Sequence, residues 1–248
     1  MERSVDFSNI AFVSEFLRNY FFENGMSVAH PYVISRGADF PLRKDIDRPR
    51  QSPPLFFMAS RLDFEKGIHT AVRAAALLRK RRPDLDWILE IAGNPGDPAY
   101  RQSLDEAASG GGISDRVKFA GKLSRDEVLQ KMLVAMAFVS CSRYGEPFAG
   151  TIIETLASGT PLIGSIDGSI REVVEHGKSA LLFERDEAES LSRHMEAILT
   201  EPNLRAGLAA EGLKVIEERY TLDKIIDQTE RVLVEVVRNS QAPGGLSA

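Results

Sequence analysis

Short apolar runs alternate with helical segments from Pro54 onwards, and this alternation constrains the fold more than any other feature of the chain. The runs are three to six residues long and begin at Leu55, Trp87, Val117, Ala137, Pro161 and Ala180. Strands that are apolar along their whole length are buried on both faces, which is typical of parallel sheets. The pattern therefore predicts an α/β fold with a doubly wound parallel sheet, covered by helices on both sides.

Helix-forming segments with capping residues lie between these runs. The predicted helices cover residues 67–82, 100–108, 171–175, 202–218 and 222–238, with others opened by Ser124, by residues 148–151 and by Asp186. Glu127 follows Ser124 at the spacing of a capping box. Asp186 is expected to cap the helix that follows the last apolar run.

Residues 8–40 predict a strand, a helix and a second strand, a unit too small to be a domain by itself. Ser14 is placed to cap this helix and Gly25 to end it. We expect 1–42 to be the remnant of a larger preceding domain, 43–54 a proline-rich linker, 55–222 the main domain, 223–240 a C-terminal helix and 241–248 a disordered tail.

Composition argues against several classes of protein. The formal net charge of −5 over 248 residues gives the chain no overall nucleic-acid-binding surface. The basic run Arg79–Arg82 is either a solvated helix end or a patch for a membrane surface. Cys141 is the single cysteine, so no intrachain disulfide can form, and zinc-site spacing is absent. No apolar run reaches membrane-spanning length. We expect a cytoplasmic protein, with peripheral attachment to the inner membrane face left open.

Polar residues and glycines follow the ends of the predicted strands. They occupy 60–67, 93–97, 121–124, 140–151 and 165–172. Open parallel sheets bind ligands beyond the carboxyl ends of their strands. The sequence therefore predicts a site for a polar ligand at this edge, without identifying the ligand.

Glu146 and Glu154 lie on either side of a predicted helix start, where backbone N–H groups have no partner within the helix. A ligand with hydroxyl groups at both ends and phosphates in the middle would match this arrangement. Glu154 could accept hydrogen bonds from a ribose diol or form a buried salt bridge. An acid/base pair for glycoside hydrolysis is disfavoured, because eight residues of helix span about 12 Å and hydrolases need about 5–10 Å.

Arg61 and Lys66 flank a turn after the first long strand, and such paired cations suit a diphosphate. The alternative is a solvated turn in which Asp63 and Glu65 are the partners. The helix start at Phe148, Ala149, Gly150 and Thr151 is rich in small residues, which let a ligand approach the backbone. Capping by water alone is the alternative there.

Several motifs together resemble the retaining glycosyltransferases of the GT-B fold, in the large group called family 4 or group 1. The matching motifs are Val13-Ser-Glu, Ile34-Ser-Arg-Gly-Ala-Asp39, Ser60-Arg-Leu with Lys66-Gly, Gly121-Lys-Leu-Ser, the glutamate pair, Gly159-Thr-Pro, Gly168 with Glu172-Val-Val, and Glu218-Arg-Tyr. Each motif is weak, but their order and spacing are specific. The resemblance extends from Val13 to about Tyr220 and implies a Rossmann-like C-terminal domain.

This resemblance implies that residues 55–222 bind a UDP- or GDP-sugar and that a hexosyl group is transferred with retention of configuration. It implies a catalytic group of Glu146, Arg61 and Lys66, in which the two cations bind the diphosphate, and it assigns ribose binding to Glu154. Glu146 and the backbone of Phe148, Ala149, Gly150 and Thr151 would contact the sugar and the phosphates. Lys122 and Leu123 would border the base. It implies no metal and no cofactor.

The chain also departs from the family pattern. Arg36 stands where the family has Asn, Ala149 where it has Gly, and Asp167 where it has the first of two glycines. By this resemblance, we expect the chain to lack most of the N-terminal domain, which in such enzymes supplies the acceptor site. We therefore expect either the donor-binding half of a glycosyltransferase with a glycan, lipid or small-molecule acceptor, or a non-catalytic nucleotide-sugar-binding module that needs a partner chain. A dinucleotide-binding oxidoreductase is disfavoured, because no Gly-x-Gly-x-x-Gly turn follows the first strand.

Overall fold

The computed structural model describes residues 8–39, 42–43, 51–94, 96–148 and 150–241. Within these residues the strands are β1 (Asn9–Phe12), β2 (His30–Val33), β3 (Leu55–Ala59), β4 (Ile88–Ala92), β5 (Val117–Gly121), β6 (Ala137–Ser140), β7 (Leu162–Ser165) and β8 (Leu181–Phe183). The helices are α1 (Glu15–Glu23), α2 (Ile68–Arg81), α3 (Pro98–Gly110), α4 (Arg125–Val134), α5 (Gly150–Ala157), α6 (Ile170–Val173), α7 (Ala188–Thr200), α8 (Pro202–Val215) and α9 (Leu222–Gln241).

Strands β3 to β8 form a parallel six-stranded sheet in the order β5-β4-β3-β6-β7-β8. The chain builds outwards from β3 in one direction and then returns to add β6 on the other side. The strand order therefore reverses between β3 and β6, and connections leave these two strands in opposite directions. Such a reversal opens a crevice at the carboxyl ends of the strands. The predicted doubly wound parallel sheet is confirmed.

Alternate residues of β3 belong to two separate hydrophobic clusters. Phe56 and Met58 pack in the cluster that includes residues of α2, α3 and α7. Leu55 and Phe57 pack in the cluster that includes residues of α4 and α5. Side chains of a strand alternate between its faces, so helices cover both faces of this sheet, as the continuous apolar runs predict.

Two predicted helix caps are confirmed and one is wrong. The Ser124 side chain and Glu127 form the complete capping box of α4, and the Ser14 side chain accepts from the backbone N–H of Leu17. Asp186 does not cap α7. Its backbone is left-handed, with φ of 64°, and its carboxylate accepts from Arg143, so it is not available to the helix N–H groups.

Helix bounds agree closely with the sequence in most places. The last helix runs Leu222–Gln241, where residues 223–240 were expected. The helix predicted over 202–218 ends as α8 at Val215 and continues as a π-helical turn, Ile216–Tyr220. Within the described part of the chain, no helix is both long and apolar enough to cross a membrane. The expected tail lies outside the described residues except for residue 241, and most of the linker also lies outside them.

Two of the four cations of the basic run, Arg81 and Arg82, pair with neighbouring carboxylates. Arg81 donates to Glu189 and Glu196, and Arg82 donates to Glu196 and Asp84. These pairs connect the end of α2 to α7. The pairs reduce the positive charge that the basic run can present to a membrane surface.

The small β1–α1–β2 unit lies against the carboxyl edge of the main sheet. The Glu172 carboxylate accepts from the backbone N–H groups of Glu15 and Phe16 at 2.9 and 2.7 Å. Val33 accepts from the Gln228 side chain at 2.8 Å, which ties β2 to α9. The segment after β2 is therefore held beside the crevice.

We predict that Leu78→Ala destabilises the protein by about 2–5 kcal/mol, because Leu78 is fully buried in the cluster of α2 and α7 and its truncation leaves a cavity. Leu233→Ala is the matched control, since Leu233 is 59% exposed on α9. Denaturant unfolding of the two variants measures the difference. Equal losses would show that α2 does not pack as described.

Candidate functional site

A cavity of about 390 Å³ lies at the carboxyl ends of β3 and β6, where the strand order reverses. Its walls come from the end of β3 and the turn after it (Met58–Arg61 and Lys66), from β6 and the residues after it (Phe138–Ser142), and from the start of α5. Arg36 closes it from the segment after β2. The predicted edge of the sheet therefore holds a formed cavity, with charged residues in its walls.

Lys66 and Glu146 face each other in this cavity. Lys66 Nζ contacts Glu146 Oε1, and the Ser142 hydroxyl donates to the same oxygen at 3.3 Å. Both charged side chains are about four-fifths buried. Partial burial strengthens the attraction between them and keeps each dependent on a partner. The structure thus brings together two of the three residues that the sequence predicts as catalytic.

Close backbone packing places Lys66. Gly67, which follows it, has φ of 62°, and a Cβ at this position would lie 2.0 Å from the Cys141 carbonyl oxygen. The turn after β3 therefore packs directly on the end of β6, which only glycine permits here. Cys141 is buried, and burial raises the pKa of its thiol.

The loop after β7 supports Glu146 from the other side. The Glu146 carbonyl accepts from the Ser169 N–H at 3.1 Å. Gly168 has φ of 55°, and a Cβ there would lie 2.2 Å from the same carbonyl oxygen. Asp167 accepts from Arg185 at 2.7 Å; burial raises the pKa of this carboxyl, and Arg185 opposes that effect.

An ion pair between Arg143 and Asp186 fixes the start of the loop that carries Glu146. Arg143 Nε donates to both carboxylate oxygens at 2.7 and 2.9 Å, and its guanidinium lies 4.4 Å from the centre of the Phe64 ring. Arg143 lowers the pKa of Asp186, so this carboxylate is ionised at neutral pH. The pair joins the loop after β6 to the loop after β8.

Arg61 lines the cavity at its rim, with 72% of its side chain exposed. Its guanidinium lies 3.0 Å from the Asp63 carboxylate. The structure therefore places Arg61 at the cavity rim and gives it one of the two partners that the alternative names. An ion pair this exposed contributes little to stability.

Glu154 also lines the cavity and is four-fifths buried. It accepts from Arg125 Nε at 3.1 Å, and Arg125 also contacts Asp39. The salt bridge that the sequence left open as an alternative is thus present. Its partner could not be named from sequence, because Arg125 begins a helix 29 residues before Glu154.

The remaining predicted residues divide into two groups. Phe148, Gly150 and Thr151 line the cavity at the start of α5, whereas Ala149 lies outside the described residues. Lys122 and Leu123 are not among the described lining residues: Lys122 is exposed, and Leu123 packs against a hydrophobic cluster. Their predicted contact with a base gains no support from the cavity.

Among the lining arginine and serine residues, Arg36, Ser60, Ser140 and Ser142 had no predicted role. Arg36 was noted in the sequence only as a departure from the family pattern. Its position near α5 depends on long-range packing of the segment after β2, for which local sequence gives no signal. Among the described residues, no group of three or more His, Cys, Asp or Glu is placed to hold a metal ion.

A sequence model of the family described as glycosyl transferases, group 1, matches residues 40–215. The chain is 28% identical over 186 residues to the lipopolysaccharide core biosynthesis glycosyltransferase LpsE of Rhizobium meliloti, covering 75% of the chain and 51% of that protein. It is 28% identical over 224 residues to the glycogen synthase of Mycobacterium tuberculosis, covering 88% and 52%. The chain thus spans about half the length of these relatives.

Solved structures show the same fold at lower identity. A glycosyltransferase from Rickettsia africae superposes with a TM-score of 0.79 at 19% identity, over 94% of this chain and 64% of that one. HepE of Anabaena, in complex with UDP and glucose, gives a TM-score of 0.77 at 21% identity, over 92% and 63%. The family match covers more than two thirds of the chain, and it follows that this protein is a member of the group 1 glycosyl transferases.

Proposed function

We propose that this chain is the donor-binding half of a glycosyltransferase that transfers a hexosyl group from a UDP- or GDP-sugar with retention of configuration. The observation that carries the proposal is the cavity at the β3–β6 reversal, where Lys66 and Glu146 meet beside the start of α5. An anionic, hydroxyl-rich ligand fits this combination of one cation, one carboxylate and a helix N-terminus.

The diphosphate is assigned to Lys66, Arg61 and the backbone N–H groups at the start of α5. Lys66 is a compact charge deep in the cavity, and Arg61 is a flexible fork at the rim. When a diphosphate binds, it competes with Glu146 for Lys66 and with Asp63 for Arg61. The positive charge in the cavity is then satisfied by the ligand instead of by the protein.

The two carboxylates are assigned to hydroxyl groups of the donor. Glu154 accepts from the ribose diol, for which it exchanges its contact with Arg125. Glu146 accepts from the sugar, and Ser142 and Gly168 hold it in place. The placement of the base beside Lys122 and Leu123 rests on the family resemblance alone.

In the proposed reaction, the bond between the anomeric carbon and the diphosphate oxygen breaks, and the electron pair leaves with the diphosphate. The acceptor oxygen forms the new bond on the same face, and its proton passes to the departing phosphate. Lys66, Arg61 and the start of α5 stabilise the charge that develops on this phosphate. These groups supply the neutralisation, so the proposal requires no metal or cofactor.

Two comparisons support a nucleotide-sugar donor. The chain belongs to a family of glycosyl transferases, and HepE, which shares the fold, is bound to UDP and glucose in its crystal. The acceptor, whether a glycan, a lipid or a small molecule, requires a site outside this half, because the chain covers only about half of its relatives. That site would lie in a preceding domain or in a partner chain.

We predict that Lys66→Ala weakens UDP or GDP binding by about 1.5–3 kcal/mol through loss of a charge-assisted contact, and that the matching nucleoside loses much less. Isothermal titration with both ligands measures the difference. Lys80→Ala is the control, since Lys80 is an exposed lysine at the far end of α2. A uniform loss for nucleotide and nucleoside would remove Lys66 from the diphosphate site.

We predict that Glu154→Ala weakens the nucleoside by about 1–3 kcal/mol, because two ribose hydroxyls lose their acceptor. Arg125→Ala breaks the same ion pair from the other side and leaves the carboxylate in place. Isothermal titration should therefore show that Arg125→Ala binds the nucleoside about as tightly as wild type does. If both variants lose affinity equally, Glu154 acts through its salt bridge and does not bind ribose.

The alternative is a non-catalytic nucleotide-sugar-binding module that needs a partner chain. We predict that the isolated chain slowly hydrolyses its UDP- or GDP-sugar and that the sugar first released has the anomeric configuration of the donor. Time-resolved proton NMR detects the hydrolysis and identifies the anomer of the sugar that is released first. Binding without hydrolysis would support the module, and the opposite anomer would contradict retention.

A further inference from the structure

Arg36 is the one residue in the cavity wall that comes from the β1–α1–β2 side of the described chain. Its guanidinium reaches the first residue of α5, where a Cβ on Gly150 would lie 3.1 Å from Arg36 Nη1 and 3.6 Å from Cζ. The absence of a side chain at Gly150 makes room for this approach. Arg36 therefore stands over the same helix start to which the phosphates are assigned.

We propose that Arg36 is a further phosphate-binding residue of this site, which contacts the diphosphate from the segment after β2. The inference rests on the proposed function, because it assumes a nucleoside diphosphate in the cavity. It goes beyond the family resemblance, which has Asn at this position. It also assigns to the β1–α1–β2 side a direct part in donor binding.

Electrostatics carry the argument. A helix start is positive, and a cation placed against it is unfavourable. Within the described residues, no carboxylate lies within ion-pair distance of the Arg36 guanidinium. Asp39 is paired with Arg125, and Arg36 is only the last of the causes that lower the pKa of Asp39. Two positive groups held this close together are both stabilised by an anion that lies within reach of each.

The other cations of the cavity already have acidic partners. Lys66 contacts Glu146, and Arg61 lies 3.0 Å from Asp63. Arg36 is the exception among the described lining cations. A guanidinium presents a planar fork that matches two oxygens of one phosphate, so it suits this position better than an ammonium.

The backbone below Arg36 is fixed, while its side chain is exposed. The Ala38 N–H donates to the Tyr220 carbonyl at 2.8 Å, and Gly37 packs against Leu222, whose Cα would lie 3.1 Å from a Cβ there. The guanidinium is thus delivered to the cavity mouth by an anchored segment. Binding a phosphate costs it only side-chain freedom.

The test compares wild type with Arg36→Asn, which restores the residue expected from the family pattern. Titration uses UDP or GDP, whichever wild type binds more tightly, together with the matching monophosphate and nucleoside. We expect Arg36→Asn to weaken the diphosphate about tenfold and the nucleoside less than twofold, as for loss of one charge-assisted contact. Arg36→Lys should recover part of the loss. Arg193→Asn, which removes an exposed arginine on α7, should bind as wild type does.

The outcomes separate this proposal from the proposed function. If wild type binds the diphosphate and Arg36→Asn binds it equally, the role of Arg36 is wrong and the proposed function stands. If wild type binds neither UDP nor GDP, the role of Arg36 and the proposed function are both wrong. An equal loss for nucleoside and diphosphate would overturn the phosphate assignment. So would a loss that appears with UDP-glucuronic acid but not with UDP or UDP-glucose, since Arg36 would then bind a sugar carboxylate.

Discussion

The position of β3 at the centre of the sheet determines where chemistry is possible in this protein. β3 is buried on both faces, and the chain leaves it in one direction and later returns to its other side. The loops after β3 and β6 therefore diverge, and the space between them cannot be filled by either connection. Every charged residue of the candidate site reaches that space from an element that packs on one of these two strands or closes over them.

Most charged residues of the crevice are paired within the protein, and Arg36 is the exception among the described lining residues. Glu146 neutralises Lys66, Arg125 neutralises Glu154, and Asp63 neutralises Arg61. In two of these pairs, one residue is assigned to the donor and the other is its ion-pair partner within the protein. In the third pair, Lys66 and Glu146 are both assigned to the donor. A ligand gains affinity only from the difference between its own contacts and these existing pairs. The geometry of the pairs therefore tunes affinity as much as the residue types do.

Much of the fold could be predicted from sequence because its signals are local. Apolar runs marked the six strands, and Ser124 and Ser14 marked helix starts correctly. Asp186 failed because an acidic residue before a helix is also free to pair with a distant arginine, and Arg143 lies 43 residues away in sequence. Arg125 and Arg36 were missed for the same reason. Family motifs pointed to Glu146 and Lys66, but no local pattern indicates which surface arginine folds over a helix start.

Glu172 connects the loop that supports Glu146 to the first turn of α1. It belongs to α6, a four-residue helix that directly follows the Gly168 loop supporting Glu146, and its carboxylate holds the first turn of α1. Ser14, at the same end of α1, donates to the Pro147 carbonyl at 2.5 Å. The β1–α1–β2 unit is therefore clamped at the residues next to Glu146. The loop that carries Glu146 and the first turn of α1 are therefore held by the same contacts, so neither can move far without breaking the hydrogen bonds of Glu172 or Ser14.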